Sequence, residues 1–218
     1  MGAVAVGRVK AAELDAVTLD AYRTLVTLVD PVPALIAALA ERGAERTPKV
    51  VLGGFETESE HYARRVSEGY DEPSLARLRR DCASVFLEAV GAELDAEEFA
   101  PAYIDAIRFE VLPRVVDSLE HLRALGLELA VVGNWDFSLH QRLEELDLAR
   151  YFRIVVHAAR KPSPDGLLQA LAQLGVDPGR ALHIGDESAD EEAARTAGMR
   201  FAPAPVPEAV AALERVRR

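Results

Sequence analysis

A chain of 218 residues, half of them hydrophobic, can bury a substantial core, either as one domain with an insertion or as two small ones. Its formal charge of −11 speaks against nucleic-acid backbones, which reward clustered Lys and Arg, and confines any anionic ligand to a local basic pocket. Cys82 is the single cysteine, so an intramolecular disulfide is excluded, a zinc cage is unsupported, and a reducing cytoplasm is the expected home.

Charged residues interrupt every apolar run short of the ~20 residues that a membrane-spanning helix needs, so no membrane partner is expected. Residues 1–12 lack the apolar stretch of a secretory signal and read as a loose extension. The first strong pattern is Ala16-Val17-Thr18-Leu19-Asp20, an apolar run that ends on a carboxylate. It reads as a buried strand of a parallel sheet, with Asp20 at the carboxyl end, where open α/β sheets place their ligands. Asp30-Pro31-Val32-Pro33 then opens a helix, and helical spacing continues to about Pro113. Residues 48–69 are the weakest part of that block, because Gly53-Gly54 would cost a helix roughly 1 kcal/mol per Gly relative to Ala. Further on, Leu75, Leu78, Cys82, Val85, Phe86 and Val90 share one side of a helix, and Asp95 opens another striped with Phe99, Tyr103 and Ile107. The block predicts an all-helical insertion directly after the Asp20 strand.

From Leu112 the pattern changes to strands alternating with helices. Strands are expected over 127–132, 152–157, 181–184 and 200–202, and helices over 115–125, 139–148, 163–174, 190–197 and 207–216. Such alternation implies a parallel sheet covered on both faces. The fold class that follows is α/β: a three-layer parallel-sheet core of residues 1–28 and 112–218, with an all-helical cap of residues 29–111 inserted after the first strand.

The strand ends carry Asp20, Asn134, Lys161 and Asp186 with Asp190. In a parallel sheet those ends lie along one edge, so residues far apart in sequence converge. Asp20 suits a nucleophile that forms an ester-like intermediate, with Lys161 offsetting the charge of nucleophile and substrate. Asp186 and Asp190 offer the hard oxygens that magnesium prefers. Plainer roles exist for some of these residues: Asp20 could cap a turn, and Asp190 could cap the helix that follows it. His183, inside an apolar strand, reads as a core residue and not as a base. The arginines Arg64, Arg65, Arg77, Arg79 and Arg80 of the helical block read as a solvated face, with the alternative that one or two reach an anionic substrate.

The order and setting of these residues resemble the haloacid dehalogenase-like hydrolase superfamily, whose four motifs lie at successive strand ends of a Rossmann-like core. Residues 17–25 are similar to the nucleophile motif, 129–134 to the second, and Arg160-Lys161-Pro162-Ser163-Pro164 to the lysine motif. His183-Ile184-Gly185-Asp186-Glu187-Ser188-Ala189-Asp190, with the helix after it, is similar to the acidic fourth motif. The resemblance implies Asp20 and Lys161 as catalytic residues and Tyr22, Arg23, Gly133 and Asn134 around a small anionic substrate. It also implies a magnesium ion on Asp20, the main-chain carbonyl of Tyr22, Asp186 and Asp190. Either a monomer or a homodimer is expected.

Three positions depart from the family pattern. Tyr22 stands where family phosphatases usually carry a second Asp as general acid and base, Arg23 where the turn usually has Gly, and Gly133 where a Ser or Thr usually precedes Asn134. Magnesium-assisted hydrolysis of a small phosphate ester is the first expectation. The alternatives are a 2-haloacid dehalogenase, which Tyr22 resembles, and a binding protein that keeps the fold without turnover.

Overall fold

In a computed structural model of the protein, the described residues are 13–214. The expected N-terminal extension and the last two residues of the expected final helix lie outside them. In chain order the elements are β1 (Ala16–Leu19), β2 (Val26–Leu28), α1 (Val32–Ala40), α2 (Pro48–Arg65), α3 (Glu72–Val90), α4 (Ala96–Ala106) and β3 (Phe109–Val111). They continue with α5 (Val115–Ala124), β4 (Glu128–Val132), α6 (Leu139–Glu145), β5 (Ile154–Val156), α7 (Asp165–Leu174), β6 (Ala181–Gly185), α8 (Ser188–Ala197), β7 (Arg200–Pro203) and α9 (Val206–Glu214). Among the described residues no helix is long and apolar enough to cross a membrane.

The chain divides into two compact units, one of residues up to Thr27 together with Val111 onward, the other Leu28–Glu110. The first is built on a parallel five-stranded sheet of order β5-β4-β1-β6-β7. β1 is its middle strand and every residue of it is buried, which is why that stretch reads as a continuous apolar run and not as an alternating one. Helices α7 and α8 close one apolar cluster over the sheet with Val132, Leu167, Leu171, Ala193 and Ala194, while α5 packs on α9 and β4. Gly175 and Gly198 end α7 and α8 in left-handed conformations that a side chain would resist. The α/β class and the helical insertion are as the sequence predicts.

The second unit is the helical insertion. Leu35, Leu39, Val51, Phe86 and Phe99 are fully enclosed in it, and the rings of Phe86 and Tyr103 lie 5.0 Å apart between centroids. Helix α3 begins in a reciprocal cap of Asp71 and Ser74, and Asp95 caps α4. The Gly53-Gly54 stretch is helical after all, inside the 18-residue α2. A Cβ on Gly54 would lie 2.4 Å from Val90 Cγ1, so the missing side chain lets α2 approach α3 closely, and that packing outweighs the propensity cost.

The helical block does not run unbroken to Pro113. Phe109–Val111 forms β3 and pairs with β2 in a two-stranded ribbon, flanked by the bonds Val29 N–H to Arg108 O (2.9 Å) and Leu112 N–H to Leu25 O (2.9 Å). Three residues of alternation carry little signal beside a long helical stripe, and the pairing partner lies some eighty residues away in sequence, so the sequence pattern hides this strand.

Candidate active site

Asp20 follows β1, and its N–H donates to the Ile184 carbonyl (2.9 Å), which carries the ladder one residue beyond the strand and fixes Asp20 at the carboxyl edge of the sheet. Lys161, on the loop after β5, brings Nζ to 2.5 Å from Asp20 Oδ1 and 2.5 Å from Asp190 Oδ1. Lys161 and Asp20 are only 7% and 8% exposed, and charges so far removed from water persist only when paired. Burial works against the Lys161 ammonium, but the carboxylates of Asp20 and Asp190 outweigh it and hold its pKa above the usual lysine value. Burial also pushes the Asp20 carboxyl up; Lys161 opposes this and the neighbouring Asp190 adds to it. Asp190 goes the other way. Against burial, the His183 hydrogen bond and the Lys161 charge hold it well below the usual carboxylate range.

Asp190 shares in capping α8, though not as its N-cap: Glu187 holds that position, and the two form a reciprocal capping box. In the first turn of α8 its Oδ2 accepts the Glu187 N–H (3.1 Å) while Oδ1 meets Lys161 and, at 3.2 Å, His183 Nε2. Gly185 makes room for this: a Cβ there would lie 2.4 Å from Asp190 Cγ. His183 is fully enclosed, as expected of a core residue, but both of its ring nitrogens are engaged, Nδ1 by Thr18 Oγ1 at 2.8 Å. Burial holds its pKa below the usual histidine value. Thr18 and His183 are partners in the β1–β6 register. Sequence reasoning left both out of the site; the only signal for them was a pair of polar residues inside two apolar strands.

Asn134 and Gly133 have hydrogen-bond partners within the sheet-containing unit. Asn134 Nδ2 donates to the Lys161 carbonyl (3.0 Å) and its Oδ1 accepts the Lys161 N–H (2.7 Å), so this side chain holds the lysine loop. The Gly133 N–H donates to the Val156 carbonyl (3.0 Å). The β4–β5 ladder runs one residue past the strand and uses that donor.

The turn after β1 is kept without its usual glycine. Leu25 and Val26 donate to the Ala21 carbonyl, Arg23 donates to Val26 O (2.8 Å), and Arg23 itself takes φ 59°, at a cost of roughly 1 kcal/mol for a residue with a Cβ. The Arg23 guanidinium carbon lies 5.4 Å from the centroid of the Tyr22 ring, and Tyr22 is 38% exposed.

Oxygens of Asp20, Asp186 and Asp190 lie within 4.8 Å of one another. Asp186 is exposed; partial burial and the charges of Glu187 and Asp190 push its carboxyl up, while Arg23 works against that rise. Three carboxylates against one ammonium leave the cluster net negative, and crowded carboxylates of this kind are relieved by a cation. The hard oxygen donors fit a divalent ion such as magnesium. Both oxygens of Asp190 are already engaged, so Asp20 and Asp186 are the carboxylates better placed to give an oxygen to it. Asp20, Lys161, Asp186 and Asp190 are therefore brought together, with Asn134 behind the lysine and Tyr22 and Arg23 on the adjoining turn.

The family of haloacid dehalogenase-like hydrolases matches residues 74–204. Phosphoglycolate phosphatase 1 of Pseudomonas aeruginosa is 33% identical over 188 residues, which cover 81% of this chain and 65% of that protein. Phosphoglycolate phosphatase of Aquifex aeolicus is 34% identical over 121 residues, 49% of this chain and 57% of that protein. The chain thus spans less than two thirds of the length of either. Among solved structures, a putative beta-phosphoglucomutase from Thermotoga maritima shares the fold with a TM-score of 0.67 at 22% identity, covering 93% of this chain and 100% of that one. A 2-haloacid dehalogenase from Pseudomonas syringae pv. Tomato has a TM-score of 0.62 at 26% identity, covering 93% of this chain and 99% of that one. With the family match extending over more than half its length, and with its acidic strand-end cluster around a buried lysine, this chain belongs to the haloacid dehalogenase-like hydrolases.

Proposed function

We propose that the protein hydrolyses a small phosphate ester, with Asp20 as the nucleophile. The observation that carries this reading is the buried Lys161 ammonium, held 2.5 Å from Asp20 Oδ1 and 2.5 Å from Asp190 Oδ1. An oxygen of Asp20 attacks phosphorus, the ester P–O bond breaks, and the alcohol leaves with a proton drawn from water. Water then adds to the phosphorus of the aspartyl phosphate, releasing phosphate and restoring the carboxylate. Lys161 offsets the charge of nucleophile and phosphoryl group, Asn134 holds the lysine loop, and Asp190 anchors the lysine. A magnesium ion on Asp20, Asp186 and the Tyr22 carbonyl would neutralise phosphoryl charge. The helical unit serves as the cap domain in this reading, and the cytoplasm is the compartment implied, in keeping with a lone buried cysteine, Cys82.

Tyr22 leaves the leaving group without a carboxylic acid at that position, and general acid-base help is worth typically ~100- to 10,000-fold, so turnover is expected to be slow. The test is a panel of phosphate esters with and without magnesium, headed by 2-phosphoglycolate because the curated relatives are named for it. Phosphate release that needs both magnesium and Asp20 is the expected result. No Asp20-dependent release under any condition contradicts the proposal.

Tyr22 also favours a second reading, hydrolysis of a 2-haloacid, in which Asp20 displaces halide from carbon and water cleaves the resulting ester. The net-negative cluster around Asp186 speaks for the phosphate ester. Halide release from a 2-haloacid that survives a chelator would put the second reading first.

A further inference from the structure

Strand β6 is shaped around one carboxylate. His183 and Gly185 are two residues apart, so they share a face of the strand, and both meet Asp190: His183 Nε2 is 3.2 Å from Oδ1, and the missing side chain of Gly185 leaves the space that Asp190 Cγ fills. In either protonation state of the ring, Nε2 is the donor in this pair, because an ionised carboxylate only accepts. The other ring nitrogen is held at 2.8 Å by Thr18 Oγ1 from the neighbouring strand, which stops the ring from turning. On the far side Asp190 Oδ1 meets Lys161 Nζ, which in turn meets Asp20.

We propose that His183, steadied by Thr18, is a positioning residue: it fixes Asp190 and through it sets Lys161 against Asp20. The inference rests on the reading of Asp20 as the reacting group, which turns a well-bonded core into part of the machinery. A fully satisfied buried network is rigid, whereas removing His183 leaves Asp190 one donor short, held by Lys161 and the Glu187 N–H alone. His183→Leu removes the donor at similar volume, His183→Gln returns an N–H near the Nε2 position, and Thr18→Val removes only the steadying hydroxyl.

Two readouts test it on the full chain. The first needs neither substrate nor metal: hydrogen exchange at the Glu187 amide, which donates to Asp190 Oδ2, compared with the Ile184 amide inside β6. In His183→Leu the Glu187 amide is expected to exchange faster relative to Ile184, with the ratio restored in His183→Gln and intermediate in Thr18→Val. A merely structural role would speed both amides together. The second is phosphate-ester turnover, in which His183→Leu is expected to lower kcat by about 10- to 100-fold with KM little changed and His183→Gln to recover most of the loss. An unchanged Glu187 to Ile184 ratio in His183→Leu, or a Gln variant no better than Leu in both readouts, overturns the proposal. A wild type that releases no phosphate from any ester overturns the reading of Asp20 instead, and the exchange comparison then decides the role of His183.

Discussion

Lys161 is the residue on which the site turns, since its ammonium is buried against two carboxylates and its main chain is clasped by the side chain of Asn134. The oxyanion side of the site is thinner. Gly133 carries no hydroxyl and its N–H is committed to Val156. A side chain would nevertheless fit there, because a Cβ on Gly133 would meet its nearest neighbour, Leu139 Cδ2, at an ordinary 3.4 Å. Gly133→Ser is therefore expected to leave stability within about 0.5 kcal/mol of wild type and, by adding a donor to a charged oxygen worth roughly 1.5 kcal/mol, to raise kcat/KM about tenfold. Phosphate-release kinetics and a thermal melt check both halves, and a Ser variant with wild-type kinetics would show that the hydroxyl does not reach the substrate. Asp20, Lys161, Asp186 and Asp190 were legible because charged groups follow three strands in one order, the last of them opening a helix. The parts of Asn134, Gly133, Thr18 and His183 were not, because an amide, a glycine or a single polar residue in a strand takes its meaning from a partner that only the folded register supplies.

At the scale of elements, the two adjacent glycines of α2 separate propensity from packing. Gly53 is exposed, and a Cβ there meets nothing within 4 Å, whereas one on Gly54 would lie 2.4 Å from Val90 Cγ1. Gly53→Ala is expected to stabilise the protein by about 0.5–1 kcal/mol, and Gly54→Ala to destabilise it by about 1–3 kcal/mol. Denaturant melts of the two variants read the sign directly, and equal effects would refute the close approach of α2 and α3. The same sequence feature had made α2 look doubtful, since a propensity argument sees two glycines and cannot see the helix packed against one of them. Glu58, also on α2, is buried and accepts a 2.5 Å hydrogen bond from Tyr103 of α4. Burial pushes its carboxyl up against the opposing pull of that bond. A carboxyl whose folded pKa exceeds its unfolded value takes up a proton on folding. Its contribution is therefore fully present below the usual value of 4.5 and lost as pH rises through the folded value. Glu58→Gln is expected to remove that slope and to melt about 2–4 °C higher near pH 7, for a gain of about 1 kcal/mol, with little gain near pH 4. A Gln variant that melts lower near pH 7 would mean that Glu58 is kept as a well-paired charge.

For the whole molecule, the sequence pattern carried the architecture because β4, β5 and β6 each run out into polar residues and lead into a helix, whereas the β2–β3 ribbon escaped it for want of length. Every group of the candidate active site belongs to the sheet-containing unit, so the chemistry proposed here depends on that unit's own geometry: Asp20 after β1, Lys161 after β5, and Asp186 and Asp190 after β6. The proposed hydrolysis passes through a covalent step at Asp20. The most direct measurement is an acid quench during turnover of a radiolabelled phosphate ester in the presence of magnesium, followed by peptide mapping. Label is expected on the peptide that carries Asp20, and none in Asp20→Asn, which should also release no phosphate. Phosphate released by Asp20→Asn at the wild-type rate, or label carried by a peptide without Asp20, would contradict that step.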